Sequence, residues 1–264
     1  MHESNASMLK ATVFENETLS VSPTIKRIVL DAPIITRTAK PGQFVHLALP
    51  EGSPHVLRRP FSIFELSRTG GVLTVLYQVV GEGTRLLSEV KEGSKLSVMG
   101  PLGSGWDFMH ARRPLLIGGG VGAAPLLLLA RDIVSRGISL DVILGASTAD
   151  MLVCQEFFER LGKKRRLHLC TDDGSRGFKG FTTELAAELL ASKKFDYIAS
   201  CGPEPMQKLV AELAANRGIS CEVSLERRMA CGVGACLSCV VDTPDGKKRA
   251  CVDGPVFNAQ EVIW

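Results

Sequence analysis

The chain has 264 residues, 45% of them hydrophobic and 22% charged, and 31 Lys and Arg against 28 Asp and Glu leave a net charge of +3. This is the composition of a globular protein long enough for two domains and an appendage, and it excludes a disordered chain. So slight a positive charge gives no basis for nucleic-acid binding.

The N-terminal stretch 1–10 has no apolar core, so a signal peptide is not expected and the cytoplasm is the expected location. From residue 8 to about residue 99, short β-branched runs alternate with Pro, Gly and Ser punctuation. Strands are expected at 11–14, 25–31, 43–48, 61–66, 72–80 and 95–98, with one helix at 84–90. Six short strands suggest a small antiparallel barrel. One strand opens with Arg58-Arg59-Pro60-Phe61-Ser62-Ile63. An arginine fits a pyrophosphate, an aromatic ring packs on a flat heterocycle, and a hydroxyl bonds a ring nitrogen. Another strand runs through Tyr77 and Gln78 to Gly83 and Thr84, which would offer donors to a phosphate at a helix start. Each string alone is compatible with ordinary strand and turn; together they point to a flavin site. The run 100–103, Gly-Pro-Leu-Gly, reads as the hinge between two domains.

From residue 114 the rhythm becomes strand–helix alternation. Strands are expected at 115–117, 140–144, 166–170, 197–200 and 220–223, and helices at 124–135, 153–161, 183–190 and 205–216. That alternation indicates a parallel sheet covered on both faces. The uncharged run 114–130 is too short and glycine-rich to span a membrane. Within it, Gly118-Gly119-Gly120-Val121-Gly122 joins an apolar strand to an apolar helix, where backbone can approach a phosphate. The spacing is not Gly-x-Gly-x-x-Gly, so a close turn with nothing bound is the plain alternative. Cys201-Gly202-Pro203 closes a later strand at the end that faces the ligand crevice, or simply starts a helix with proline. Asp150 would repel a 2′-phosphate if it points inward, or caps a helix starting at Met151. The cationic cluster at 163–166 reads as solvated surface.

The C-terminal stretch carries Cys231, Cys236, Cys239 and Cys251, spaced Cys-x4-Cys-x2-Cys-x11-Cys. This is the ligand pattern of a plant-type 2Fe–2S cluster. Gly232, Gly234, Ala235 and Ser238 are small enough for the backbone to wrap it, with amide N–H groups turned toward its sulfurs. A four-cysteine zinc site usually comes as two Cys-x2-Cys pairs, and only Cys236 and Cys239 form one; zinc and disulfides stay open as alternatives. Cys154, Cys170, Cys201 and Cys221 lack metal spacing and read as buried small hydrophobes. The segment from 225 is too small for much of a core, so the cluster is expected to supply much of its order. The cationic cluster 247–249, beside Cys251, is a candidate partner-facing patch.

In this order, the strings RPFS, GEGT, GGGVGAAP and CGPEPM resemble the ferredoxin–NADP reductase superfamily. With ACGVGACLSC and Cys251 added, the chain resembles the electron-transfer subunits of bacterial type B dihydroorotate dehydrogenases over essentially its whole length; SLERRMACGVGACLSC and TDDGSRGFKG are the most specific strings. The resemblance implies a β plus α/β fold: an antiparallel β-barrel FAD domain over 1–103, a doubly wound parallel-sheet pyridine-nucleotide domain over 104–224, and a small 2Fe–2S segment over 225–264. It implies that Arg59, Pro60, Phe61, Ser62, Leu76, Tyr77 and Gln78 bind FAD, with Gly83 and Thr84 on its phosphates. Gly119, Gly120 and Gly122 would face NAD, Cys201 would lie beside the nicotinamide, and the four C-terminal cysteines would ligate the cluster. Many superfamily members have Tyr in place of Phe61, so one hydroxyl hydrogen bond is absent here while the stacking is kept. The implied partner is an FMN-containing catalytic subunit that oxidises dihydroorotate, in a heterotetramer of two subunits of each kind. Electrons would pass singly to the cluster, then to FAD, and leave as hydride to NAD+. No acid–base residue of this chain is required for the dihydroorotate step. Related subunits of ferredoxin:NADP or sulfide-linked oxidoreductases use the same modules and form the alternative. A zinc-stabilised binding module without redox turnover is a third reading.

Overall fold

The computed structural model describes residues 6–19, 22 and 24–264. The N-terminal half is one antiparallel sheet of seven strands: β1 (Ser7–Thr18), β2 (Ile25–Asp31), β3 (Phe44–Leu47), β4 (Arg59–Ser62), β5 (Glu65–Ser67), β6 (Val72–Gln78) and β7 (Lys95–Leu102). Their order is β4-β3-β7-β1-β2-β6-β5, curled into a half-barrel. Helix α1 (Pro33–Thr38) follows β2, and α2 (Glu82–Ser88) follows β6. The expected single strand at 61–66 is two, on opposite edges of the sheet. Ile63 and Phe64 are both fully buried, and two consecutive inward side chains cannot share the period-2 alternation of one strand. Helix α1 escaped the sequence reading because it is only 6 residues long and opens on proline, which also marks turns. Its last carbonyls are held from outside: the Arg68 guanidinium donates to the carbonyls of Thr36 at 2.6 Å and Ala39 at 2.8 Å.

The expected hinge at 100–103 is mostly strand. Gly100 pairs with Ser7 on β1, and Leu102 pairs with Phe44 on β3. The chain leaves the sheet only at Gly103, whose φ is +72° and whose missing Cβ would lie 2.4 Å from the Gly254 carbonyl oxygen.

The second sheet has seven strands: β8 (Pro114–Gly119), β9 (Leu140–Ala146), β10 (Arg165–Thr171), β11 (Phe178–Lys179), β12 (Tyr197–Cys201), β13 (Ser220–Ser224) and, from the C-terminal stretch, one more. Helices α3 (Ala124–Ser135), α4 (Gln155–Glu159), α5 (Thr182–Ser192) and α6 (Glu204–Ala215) cover it. β8 to β13 run parallel, and β8 and β12 are neighbours at the centre. The uncharged run splits as expected into buried strand β8, a 3-10 turn at Gly120–Ala123 and apolar helix α3. Helix α4 is shorter than the expected 153–161, and Asp150 does not cap it; Asp150 lies in a separate 3-10 turn, Ala149–Met151.

Past residue 224 the chain forms a hairpin, β14 (Val240–Thr243) and β15 (Gly246–Arg249), and then β16 (Val256–Asn258). β16 runs antiparallel beside β13 and completes the second sheet. The expectation that this segment lacks a core is therefore corrected. Val241, Ala250 and Phe257 are at most 4% exposed and share one apolar cluster with Val223, Ile198 and Val210 of the parallel-sheet part. The segment borrows a core by adding a strand to an existing sheet edge. Phe257→Ala is expected to lower the stability of chelator-treated, iron-free protein by about 3–5 kcal/mol, the usual cost of emptying an aromatic site. An unchanged urea midpoint would mean that the borrowed core contributes little.

Candidate functional site

Parallel strands gather ligands at their carboxyl ends, and here those ends meet the half-barrel. A cleft of about 510 Å³ lies between them. From the half-barrel it is lined by Phe44, Pro60, Phe61, Ser62, Leu76, Tyr77, Gln78 and Thr84, and from the second sheet by Gly122 and Pro125. The ends of β4 and β6 together form one wall, where the Phe61 and Tyr77 rings lie 5.5 Å apart and tilted by 54°. The Tyr77 hydroxyl points away from the cleft and donates to Asn16 Oδ1 at 2.8 Å. Burial pushes that phenol well above its ordinary range, so it stays neutral.

Arg59 and Gly83 stand beside this cleft, against each other. A Cβ at Gly83 would lie 2.7 Å from the Arg59 Nε and Nη2 atoms, so glycine leaves room for the guanidinium over the start of α2. Thr84 lines the cleft, but its hydroxyl is already used. It accepts from the Val80 and Gly81 amides at 3.0 and 3.1 Å and donates its single proton to the Gly81 carbonyl at 3.0 Å. The hydroxyl expected to meet a phosphate thus also caps its own helix.

Two further cavities, of about 440 and 540 Å³, flank Gly119 and Gly120. The first is continuous with the cleft through Gln78, Val121, Gly122, Leu225, Glu226 and Arg227, which border both. The backbone explains the glycines. A Cβ at Gly122 would sit 2.7 Å from Gly202 Cα, and one at Gly202 would sit 3.0 Å from the Gly119 nitrogen. The turns after β8 and β12 thus touch main chain to main chain. Cys201 lies inside this wall, not on it: it is 2% exposed, and Gly202 and Pro203 present the surface. Burial drives its thiol upward, so it remains a protonated apolar side chain.

The second cavity beyond the glycines is bordered by Ser147, Met151, Asp172, Phe181 and Thr182. The acidic residue there is Asp172, at the end of β10, and not Asp150. No arginine or lysine borders that cavity.

Sequence reasoning missed the third wall. Ser224, Leu225, Glu226, Arg227, Arg228 and Met229 run from the end of β13 along the floor of the cleft. The signal was available, since a parallel strand ending at 224 delivers the next residues to the crevice. Arg227 is fixed by an ion pair with Glu204 at 2.7 Å. Glu226 is exposed and opens onto both cavities, where partial desolvation by their walls raises its carboxyl above its ordinary range.

Two residues beyond Met229 the cysteine loop begins. The Cys231 sulfur accepts the amides of Val233 at 3.5 Å and Cys236 at 3.4 Å. Desolvation works against the thiolate, but these amides, with Ala235 and the Cys236 side chain, hold its pKa down to about 6. Positive φ at Gly232 and Gly234 turns the amides inward, and a Cβ at Gly234 would meet Val252 at 2.8 Å. Cys231 interacts with Cys236, and Cys251 interacts with Cys239 and, more weakly, with Cys231. Among the described residues, no group of three or more His, Cys, Asp or Glu side chains is gathered around a single metal position. A binuclear iron centre needs one thiolate pair per iron, whereas zinc needs all four on one atom, so the donor set fits the 2Fe–2S cluster. The cationic patch 247–249 is internally paired: Lys247 with Asp242 at 2.6 Å, Lys248 with Glu261 at 2.8 Å, and Arg249 with Asp253 at 3.0 Å. Its charge is met within the segment, which removes the reason to assign it to a partner.

Asp172 would disfavour a second phosphate on a ribose placed in that cavity. Asp172→Asn is expected to narrow the preference for NADH over NADPH by about three- to tenfold, the effect of removing ~1 kcal/mol of partly screened repulsion. Steady-state oxidation of the two nucleotides with an artificial acceptor measures it.

The comparisons agree with this geometry. Residues 226–263 match the family described as the iron–sulfur cluster binding domain of dihydroorotate dehydrogenase B, and residues 116–212 match the oxidoreductase NAD-binding domain. The dihydroorotate dehydrogenase B (NAD+) electron transfer subunit of Desulforamulus reducens is 40% identical over 260 residues, covering 96% of this chain and 98% of that protein. That of Fusobacterium nucleatum is 38% identical, covering 95% and 96%. Among solved structures, an NADH-dependent reduced ferredoxin-NADP oxidoreductase, described for flavin-based electron bifurcation, aligns with a TM-score of 0.87 and 32% identity, over 100% of this chain and 92% of that one. The Amycolatopsis cytochrome P450 reductase GcoB shares the fold, with a TM-score of 0.69 at 24% identity over 80% of this chain and 66% of its own. A half-barrel, a parallel nucleotide sheet and a paired-cysteine loop meeting at one cleft are thus found in a chain that belongs to the dihydroorotate dehydrogenase B (NAD+) electron transfer subunits, a family of NAD-linked flavin and iron–sulfur oxidoreductase subunits.

Proposed function

We propose that the chain passes electrons from an FMN-containing catalytic subunit, where dihydroorotate is oxidised to orotate, to NAD+. The observation that carries this reading is the junction at Met229. This residue lines the cleft, and the first cysteine of the paired loop follows two positions later. The cleft also shares six bordering residues with the first cavity at Gly119 and Gly120. These adjacencies support a route from the cysteine loop through the cleft to the cavity beside Gly119.

In this reading the cleft holds FAD. Pro60, Phe61 and Ser62 with Leu76, Tyr77 and Gln78 enclose the ring system, and Arg59 over Gly83 meets the pyrophosphate. Gly119, Gly120 and Gly122 admit the backbone of NAD, with Gly202 at the nicotinamide end in front of Cys201. Cys231 and Cys236 hold one iron, and Cys239 and Cys251 the other. Bound there, the cluster supplies single-electron transfer and the flavin supplies the exchange between one- and two-electron transfer. The protein's part is to place these groups within reach and to keep water out. The buried wall of Phe44, Leu76 and Leu225 does the latter, each at most 4% exposed.

The division of labour follows residues 1–103 for FAD, 104–224 for NAD and 225–264 for the cluster. Val233 and Leu237 stand 52% and 62% exposed on the cysteine loop, and Leu237 holds φ +56°, costly for a residue with a branched side chain. Two apolar side chains presented there suit a docking surface for the catalytic subunit. An assembly of two subunits of each kind, in the cytoplasm, accompanies this reading; no helix among the described residues is long and apolar enough to cross a membrane.

A second reading keeps the cofactors and changes the partner to one that handles ferredoxin and NADP. It is favoured by the likeness to the ferredoxin-NADP oxidoreductase structure over the full chain. Asp172 in the nucleotide cavity weighs against NADP as substrate.

The visible spectrum of anaerobically purified protein tests the proposal. Flavin and iron–sulfur bands that bleach together on adding NADH are expected, as is NAD+ reduction dependent on dihydroorotate once the catalytic subunit is added. A colourless protein containing zinc would end it. Leu237→Asp is expected to weaken co-elution with the catalytic subunit at least tenfold, since a buried unpaired carboxylate costs several kcal/mol at an interface. Iron content of the variant is the control.

A further inference from the structure

One buried polar side chain faces the cysteine loop from the half-barrel. His46, on β3, is fully buried, and both its ring nitrogens lack a hydrogen-bond partner. A buried imidazole always carries at least one N–H donor, and leaving such a donor unmet costs about 1–3 kcal/mol. In either protonation state the ring therefore has an N–H to place.

The ring's Nδ1–Cε1 edge abuts Gly232. A Cβ there would lie 2.8 Å from both atoms, so position 232 accepts only glycine while this imidazole stays in place. Gly232 immediately follows Cys231, whose sulfur already accepts two amides. The ring also lies 5.6 Å from that of Phe44, which lines the cleft. His46 thus stands between the cleft and the cysteine loop, with no acceptor of its own among the described residues.

We infer that His46 is a positioning residue for electron transfer: its ring donates an N–H to a sulfur of the cluster held by the Cys231 loop and so raises that cluster's reduction potential. The inference rests on the proposed cluster reading. Its physical basis is that hydrogen bonds to cluster sulfurs stabilise the extra negative charge of the reduced state. A donor reaching in from the half-barrel adds to those supplied by the loop's own backbone. It also ties the loop to the element that forms the cleft wall.

The test uses the full-length protein with its cofactors, labelled with 15N only in histidine and reduced with dithionite. Pulsed electron paramagnetic resonance is expected to show a 15N coupling to the reduced cluster that is lost in His46→Leu. Redox titration followed by the same signal should give a midpoint shifted to more negative potential in His46→Leu and at least half restored in His46→Gln, which keeps an N–H donor. A cluster signal without 15N coupling, or midpoints equal to that of the wild type in both variants, overturns the inference even if stability falls. Should His46→Leu fail to retain iron, the wild-type coupling and the His46→Gln midpoint decide. Absence of any cluster signal in the wild type would instead sink the cluster reading itself.

Discussion

At the centre of the molecule two turns of main chain touch with no side chain between them. The Gly122–Gly202 contact fixes the separation of the carboxyl ends of β8 and β12, and there is no room for one methyl group at either position. Everything that approaches the crevice is referenced to that contact. The half-barrel places Gln78 across it, and the segment after β13 runs below it as Leu225, Glu226 and Arg227. Packed interiors do not deform smoothly, so a rigid backbone contact holds cavity walls better than a side-chain contact would.

The second constraint is sheet completion. The cysteine segment would be too small to order itself, yet β16 takes the open edge of β13 and brings Phe257 into the core beneath it. Edge pairing satisfies the backbone and burial supplies the driving force. The consequence for function is positional. With both ends of the segment anchored on the nucleotide sheet, the loop between them is fixed where Met229 meets the cleft and Gly232 meets His46.

Electrostatics divides along the same lines. The thiols of Cys154, Cys201 and Cys221 are buried among apolar atoms and driven toward protonation. Cys231, surrounded by inward-turned amides, is driven the other way. The same side chain therefore has opposite chemistry according to whether apolar atoms or N–H groups surround it.

The sequence by itself determined the chemistry that depends on residue type at fixed spacing. The cysteine pattern, the glycines after β8 and the Arg-Pro-Phe-Ser strand are local signals, because each is a constraint on neighbouring backbone. Strand–helix alternation likewise announced the parallel sheet, since period and length are local properties. Only the tertiary structure decided what depends on which distant residues share a surface. The split of 61–66 between two sheet edges, the capture of β16 by β13, Asp172 in place of Asp150 in the cavity, the internal pairing of 247–249 and the meeting of His46 with Gly232 all join residues far apart in the chain. No local period encodes such meetings, because they are fixed by the packing of whole elements and by the burial each one gains.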